Sequence, residues 1–199
     1  MKKLVVASSN PGKLRELAQL FDGLDYQLYP QSEFGVAEVP ETGTTFVENA
    51  IIKVRNAAQH TGFAAIADDS GIEVDALNGE PGVYSARFAG ADASDEANNA
   101  LLVEKLRSVP EQQRSARYRA VIVYMRNAAD PSPIICEGSW EGSIILEPRG
   151  QGGFGYDPYF YLADQGCTSA ELSAELKNQL SHRGQALREL LEKLSPQCK

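Results

Sequence analysis

Apolar positions along the chain change period several times, and each change marks a new element. Leu4-Val5-Val6-Ala7 is a short continuous apolar run and predicts a buried strand over residues 3–8. Asn10-Pro11 then reads as a helix cap followed by a first-turn proline: asparagine accepts from an orphan amide, and proline has no N–H to leave unpaired. Leu14, Leu17, Ala18 and Phe21 recur at helical spacing, so the chain opens as strand, tight turn, helix. A second helix is expected from Thr45, where Thr45-Phe46-Val47-Glu48 has the form of a capping box. Phe46, Ala50, Val54 and Ala57 would share one of its faces, and Gly62 would end it. Residues 63–67 predict a strand with Asp68-Asp69-Ser70-Gly71 at its end, and the alternation over 72–77 predicts another. A third helix is expected over 94–107, then strands over 117–125, 134–140 and 143–146. A glycine-rich loop at 150–153 leads into Phe154-Gly155-Tyr156-Asp157-Pro158. The C-terminal part reads as helical, first with Leu172 and Leu176, then with Ala186, Leu187, Leu190, Leu191 and Leu194. Strands and helices mix without strict alternation, which predicts an α/β fold with a mixed sheet.

Composition narrows the picture. The 199 residues are 43% hydrophobic and 23% charged, which suits a single domain over 1–199, or one compact unit of two lobes. A net charge of −8 argues against a nucleic-acid backbone as partner, yet leaves room for a small anion held by a few local cations and a metal. The first apolar run ends at Ala7, short of a signal peptide's core, and no apolar stretch approaches the roughly 20 residues of a membrane span. A soluble cytoplasmic protein is expected. Cys136, Cys167 and Cys198 are odd in number and far apart, which predicts reduced thiols rather than a disulfide framework or zinc site.

Four constellations can carry chemistry. Ser8-Ser9-Asn10-Pro11-Gly12-Lys13 lies between strand and helix, where unpaired amides and the positive end of the helix dipole suit phosphate oxygens. Its plainer reading is an ordinary capped helix with a solvated lysine. Asp68 and Asp69 are adjacent carboxylates that are costly to bury without a cation or a hydrogen-bond network. A hard oxygen ligand there suits Mg²⁺ bound to phosphates, and Glu41 could supply a second. The plainer reading is a polar turn. Glycines around Phe154 allow a planar ligand to approach and stack, or simply form a hairpin with core aromatics. In Ser181-His182-Arg183-Gly184, a histidine and an arginine fall in the first turn of a helix, against its dipole, which makes sense if they face an anion or carbonyl oxygens. They are equally compatible with a solvated surface turn. Lys53 and Lys177 alone read as solvated helix lysines.

Taken together, the segments resemble the inosine/xanthosine triphosphate pyrophosphatase family, and its bacterial dITP/XTP branch in particular. The resemblance rests on residues 7–13 with Glu16, on Thr45-Phe46-Val47-Glu48-Asn49-Ala50 with Lys53, and on Ala67-Asp68-Asp69-Ser70-Gly71. It continues through residues 81–87, Phe154-Gly155-Tyr156-Asp157-Pro158 and Ser181-His182-Arg183-Gly184-Gln185-Ala186-Leu187, in the family's order over nearly the whole chain. Ser8-Ser9 stands where many members have Thr-Gly.

The resemblance implies an elongated mixed sheet flanked by helices, two lobes around a central cleft, and a homodimer. It also implies Mg²⁺-dependent splitting of ITP, dITP and XTP into a monophosphate and pyrophosphate. On this expectation Glu41 and Asp69 hold Mg²⁺, and Asp69 or a water it orients is the general base. Ser8, Ser9, Asn10, Pro11, Gly12 and Lys13, with Lys53, take the phosphate chain. Phe154 stacks on the base, and Lys177, His182 and Arg183 meet the purine 6-carbonyl, where adenine would present an amino group instead; Ser70, Gly155, Tyr156 and Asp157 are further substrate-binding residues. A Maf-like pyrophosphatase of modified pyrimidines, a nucleotide-binding regulator without turnover, and a plain α/β interaction domain are the competing readings.

Overall fold

The structure is a computed structural model and describes residues 1–194. Seven strands form one mixed sheet in the order β2-β1-β3-β4-β5-β6-β7. They are β1 (Lys2–Val6), β2 (Tyr26–Pro30), β3 (Ala65–Val74), β4 (Ser115–Met125), β5 (Ile134–Ile144), β6 (Phe160–Leu162) and β7 (Cys167–Thr168). The α-helices among the described residues are α1 (Pro11–Leu20), α2 (Phe46–Thr61), α3 (Asp95–Leu106), α4 (Ala174–Leu180) and α5 (His182–Leu194). None of them is long and apolar enough to cross a membrane.

The chain divides into two compact units. The first comprises Met1–Asp69, Ala120–Gly138 and the described residues from Arg183 to Leu194; the second comprises Ser70–Arg119 and Ser139–His182. Strands β3, β4 and β5 contribute residues to both.

In the first unit β1 pairs in parallel with β2 and β3, and helices cover both faces, as parallel sheets require. Alternation along each strand decides which face a residue serves. Val5, Ala7, Ala65, Ala67, Val121 and Val123 pack with Ala50, Val54, Ala57 and Ala58 of α2. Leu4, Val6, Ile66 and Ile122 pack with Leu17 of α1, with Phe21, and with Ala186, Leu187 and Leu190 of α5. The caps form as the sequence predicts: Asn10 Oδ1 accepts from Lys13 N, and Thr45 and Glu48 close a capping box.

In the second unit β5, β6 and β7 are antiparallel neighbours. Ile72, Val74, Ala116, Tyr118, Trp140, Ile144, Phe160 and Leu162 bury one face against Leu102 and Leu106 of α3. The opposite positions are polar, and Arg117 there reaches both Asp75 and Glu141. This is the one-sided burial open to an antiparallel sheet.

Several boundaries differ from those the sequence predicts. Asp68-Asp69-Ser70-Gly71 does not end a strand; it lies inside β3, a single ten-residue strand. A polar run reads locally as punctuation, but here cations from other elements satisfy the carboxylates, so the ladder continues. Likewise β5 runs unbroken through Gly142 instead of splitting there. A Cβ at 142 would lie 2.6 Å from the Phe160 ring, so the glycine admits a core aromatic rather than a turn. Strands β2, β6 and β7 were not anticipated; β6 and β7 are only three and two residues long, too short for a period to register. Residues 75–77, expected as strand, form a 3-10 turn. Cys136 is buried and Cys167 half-buried, both as free thiols; Cys198 lies outside the described residues.

Candidate active site

The first unit gathers its charged residues around Asp68 and Asp69. Consecutive side chains on β3 point opposite ways, so the two carboxylates meet different partners. Asp68 Oδ2 is 2.6 Å from Lys13 Nζ and 3.3 Å from an Arg183 guanidinium nitrogen. Arg183 also donates to Glu16 of α1. Asp69 Oδ1 accepts from Lys53 Nζ at 2.6 Å, and the same ammonium donates to Glu41 Oε1 at 2.9 Å and to the Asp68 carbonyl at 2.9 Å.

Local sequence explains the delivery. Lys13 sits in the first turn of α1 because Asn10 caps that helix, and Lys53 faces the sheet from the middle of α2. Glu41 lies in the irregular segment before α2, which is held by Gly43 N donating to Asn49 Oδ1 at 2.8 Å.

The cluster's electrostatics separate the two aspartates. Burial works against ionised Asp68, but Arg183 and Lys13 outweigh it and hold its carboxyl far below the usual range. Burial pushes the Asp69 carboxyl up, against the opposing pull of Lys53 and Lys13. Lys13 itself is lowered, because burial, helped by the charges of Lys53 and Arg183, outweighs the support of Asp68 and Asp69. Lys53 is raised, because Asp69 and Glu41 together exceed the cost of its burial. Asp68 is therefore a permanent anion, while Asp69 is the carboxylate closer to exchanging a proton.

In the loop ahead of α1, Ser8 Oγ accepts from Asn10 N at 3.2 Å, which leaves its own proton to donate. The exposed Ser9 hydroxyl donates to Glu38. Gly12 is buried and Pro11 exposed at the helix start.

The second unit holds a different cluster, centred on Asp157. Its Oδ2 accepts from Lys177 Nζ at 2.6 Å and from Phe154 N at 2.9 Å; its Oδ1 accepts from Ser169 Oγ at 2.9 Å and Tyr118 OH at 3.3 Å. Four donors fill the capacity of one carboxylate. Gly153 is required beside it: φ is +74°, and a Cβ would lie 2.0 Å from Asp157 Oδ2. Gly155 is clamped by α3, donating through N to Asp95 Oδ2 at 2.7 Å and accepting at O from Asn99 Nδ2 at 2.9 Å. Tyr156 is core, with its hydroxyl on the Ser85 carbonyl at 2.7 Å. Lys177 Nζ lies 4.9 Å from the centroid of the half-buried Phe154 ring. His182 is buried and stacks on Tyr118, with centroids 4.7 Å apart and planes 8° from parallel.

The residues singled out in the sequence thus fall into two groups. Ser8 to Lys13, Glu41, Lys53, Asp69 and Arg183 belong to the first unit; Ser70, Phe154 to Asp157, Lys177 and His182 belong to the second. Lys53 and Lys177 are not solvated helix lysines, since each is tied to a carboxylate. Arg183 is 2% exposed and held by two carboxylates. Tyr118 and Ser169, which also hold Asp157, lie outside every motif of the sequence. The alternation of β4 does mark Tyr118 as inward-facing, but nothing local marks Ser169.

Among the described residues no three or more His, Cys, Asp or Glu side chains form a metal cage. Mg²⁺ does not need one, since it binds through one or two carboxylates and substrate phosphates. The Glu41–Asp69 pair fits that demand, because its two hard oxygen donors already converge on one point cation, the Lys53 ammonium.

Comparison with known proteins agrees with this inventory. The Ham1 family model matches residues 4–193. A dITP/XTP pyrophosphatase of Thioalkalivibrio sulfidiphilus is 59% identical over 192 residues, covering 96% of this chain and 98% of the relative. One of Vibrio parahaemolyticus is 55% identical over 197 residues, covering 99% and 98%. Among solved structures, a HAM1 protein from Coxiella burnetii superposes with a TM-score of 0.91 at 49% identity, covering 98% of this chain and 99% of the other. A nucleoside-triphosphatase, dITP/XTP pyrophosphatase, from Mycobacterium abscessus gives 0.75 at 43% identity, covering 97% and 99%. With a family model spanning nearly its whole length and relatives this similar end to end, the chain belongs to the Ham1 family.

Proposed function

We propose that the protein is a nucleoside triphosphate pyrophosphatase that hydrolyses dITP, XTP and ITP to the monophosphate and pyrophosphate, with Mg²⁺ as cofactor, acting as a homodimer in the cytoplasm. The observation that carries the reading is the Lys53 ammonium shared by Glu41 and Asp69, beside a capped helix start, in a chain of this family. Such a cluster suits a polyphosphate: fixed cations, helix-end amides and a carboxylate pair that accepts a divalent ion.

Glu41 and Asp69 would hold Mg²⁺, which would neutralise phosphate oxygens and draw electron density from the bond to be broken. Lys13 and Lys53 neutralise the phosphate chain, and the Ser8 hydroxyl donates to it. The Asp69 carboxylate takes a proton from water as the water oxygen bonds to the α-phosphorus and the bond from that phosphorus to the pyrophosphate oxygen breaks. Arg183, buried between Glu16 and Asp68, keeps Asp68 ionised so that Lys13 stays in place.

In the second unit Phe154 stacks on the base, while Lys177 and His182 supply donors for a 6-carbonyl. An adenine amino group would set donor against donor. Rejecting GTP, which also has a 6-carbonyl, calls for a separate contact near position 2 of the purine.

The test is pyrophosphate release from ITP, dITP, XTP, GTP, ATP, dUTP and methylated UTP, with Mg²⁺ and with a chelator. Rapid release from the inosine and xanthosine nucleotides only, abolished by the chelator, is expected. Preference for a modified pyrimidine, or tight ITP binding without release, would replace this reading by one of its competitors. Light scattering on the eluting protein tests the dimer.

A further inference from the structure

Tyr118 lies in none of the motifs, yet its side chain touches two of the residues placed around the purine. Its ring stacks on His182 at 4.7 Å, nearly parallel, and its hydroxyl donates to Asp157 Oδ1 at 3.3 Å. Asp157 in turn holds Lys177 Nζ and the Phe154 backbone through its other oxygen. The ring is itself anchored edge-on against Phe160, with centroids 4.6 Å apart, and is only 8% exposed, so its rotamer is set by the core. Both contacts start from one rigid group on β4. Displacing that ring would remove the group that ties the histidine plane to the carboxylate.

We infer that Tyr118 is a positioning residue for base recognition, fixing His182 by stacking and Asp157, with its Lys177 and Phe154, by one hydrogen bond. This rests on the proposed pyrophosphatase function and deepens it. A purine offers its edge and its face at fixed angles to each other, so the donors that read the edge and the ring that covers the face need a common reference. Tyr118 supplies that reference from the sheet, whereas Phe154 and Lys177 come from a loop and a short helix. Hydrogen-bond discrimination depends on such alignment, because a donor misplaced by an ångström neither satisfies the right base nor rejects the wrong one.

The experiment compares wild type, Tyr118→Phe and Tyr118→Leu. Tyr118→Phe removes one oxygen and keeps the stack, so it folds even if Tyr118→Leu does not. Each protein is assayed for pyrophosphate release from ITP and for competitive inhibition by inorganic tripolyphosphate, which has no base. Tyr118→Phe is expected to raise KM for ITP about three- to tenfold, as loss of one ordinary hydrogen bond would. Its kcat should change less than about twofold and its tripolyphosphate inhibition constant should not move, given that only base contacts are altered. Tyr118→Leu, if folded, raises KM further. A KM for ITP at the wild-type value in Tyr118→Phe overturns the inference, and so does a parallel rise in the tripolyphosphate constant, which would mark general loosening. A wild-type protein that releases no pyrophosphate from ITP sinks the functional reading instead, and this inference with it.

Discussion

Asp68 in the first unit and Asp157 in the second are both 2% exposed, and the chain handles the cost of burying them in different ways. Asp68 is surrounded by full charges: Lys13 and Arg183 pair with it, and Glu16 shares the arginine. Asp157 takes a single cation, Lys177, and fills its remaining capacity with a backbone amide and two hydroxyls. The first arrangement fixes a field, which suits work on phosphates. The second fixes directions, because three uncharged donors, Phe154 N, Ser169 Oγ and Tyr118 OH, reach the carboxylate without adding net charge, and direction is what recognition of a flat base needs. The contrast extends to their neighbours. Asp69, one residue from the charged knot, has its proton affinity raised by burial, whereas Tyr118, beside Asp157, is packed between the Phe160 and His182 rings.

Breaking the first cluster should change rate, and breaking the second should change selectivity. The largest effect is expected for Asp69→Asn. Removing a positioned base should lower turnover by about 10²–10⁴-fold, measured by pyrophosphate release. In the metal-free protein the Asp69 carboxyl is raised by burial, so its titration, followed by carboxylate NMR, should be centred above the roughly 3.9 of a free aspartate. That titration should vanish in Asp69→Asn. It should move to higher pH in Lys53→Met, which removes a charge now pulling Asp69 down.

Arg183→Met comes next. It leaves Glu16 and Asp68 without their shared cation and should cost about 3–5 kcal/mol in urea unfolding, as removal of one partner from a buried ion pair does. The sign with pH follows from Asp68: its folded value lies below the unfolded one, so its stabilisation is complete above roughly pH 3.9 and drains away as pH falls below that. A wild-type stability that stayed flat through the acid range would remove Asp68 from this role.

Gly153→Ala should act on the second cluster alone. The left-handed backbone disfavours alanine by more than about 1 kcal/mol, and its Cβ would push Asp157 away from Lys177 and Phe154. KM for ITP should rise while inhibition by tripolyphosphate holds. An equal loss in both would erase the distinction between the clusters. The smallest effect is expected for Asn10→Ala, a lost helix cap worth about 1 kcal/mol, visible as a lower Tm.

Legibility followed locality. The cap at Asn10, the capping box at Thr45–Glu48 and the stop at Gly62 depend on residues within four positions of one another, and each forms where the sequence predicts. The polar run at 68–71 misled because its partners Lys13, Lys53 and Arg183 come from 15 to 115 residues away. No local pattern distinguishes a carboxylate that will meet a cation from one that will meet water. Lys53 and Lys177 were undervalued for the same reason.

From its residues alone, the chain's alternations and caps settled the first three helices and the buried cores of the longer strands, and its ordered motifs pointed to the family. Only tertiary packing decided that Asp68 stays charged, that Asp69 sits closer to neutral, and that Tyr118 belongs with His182 and Asp157. Periodicity is a property of neighbours along the backbone, whereas proton affinity and ring stacking depend on distances that exist only after distant segments have packed together.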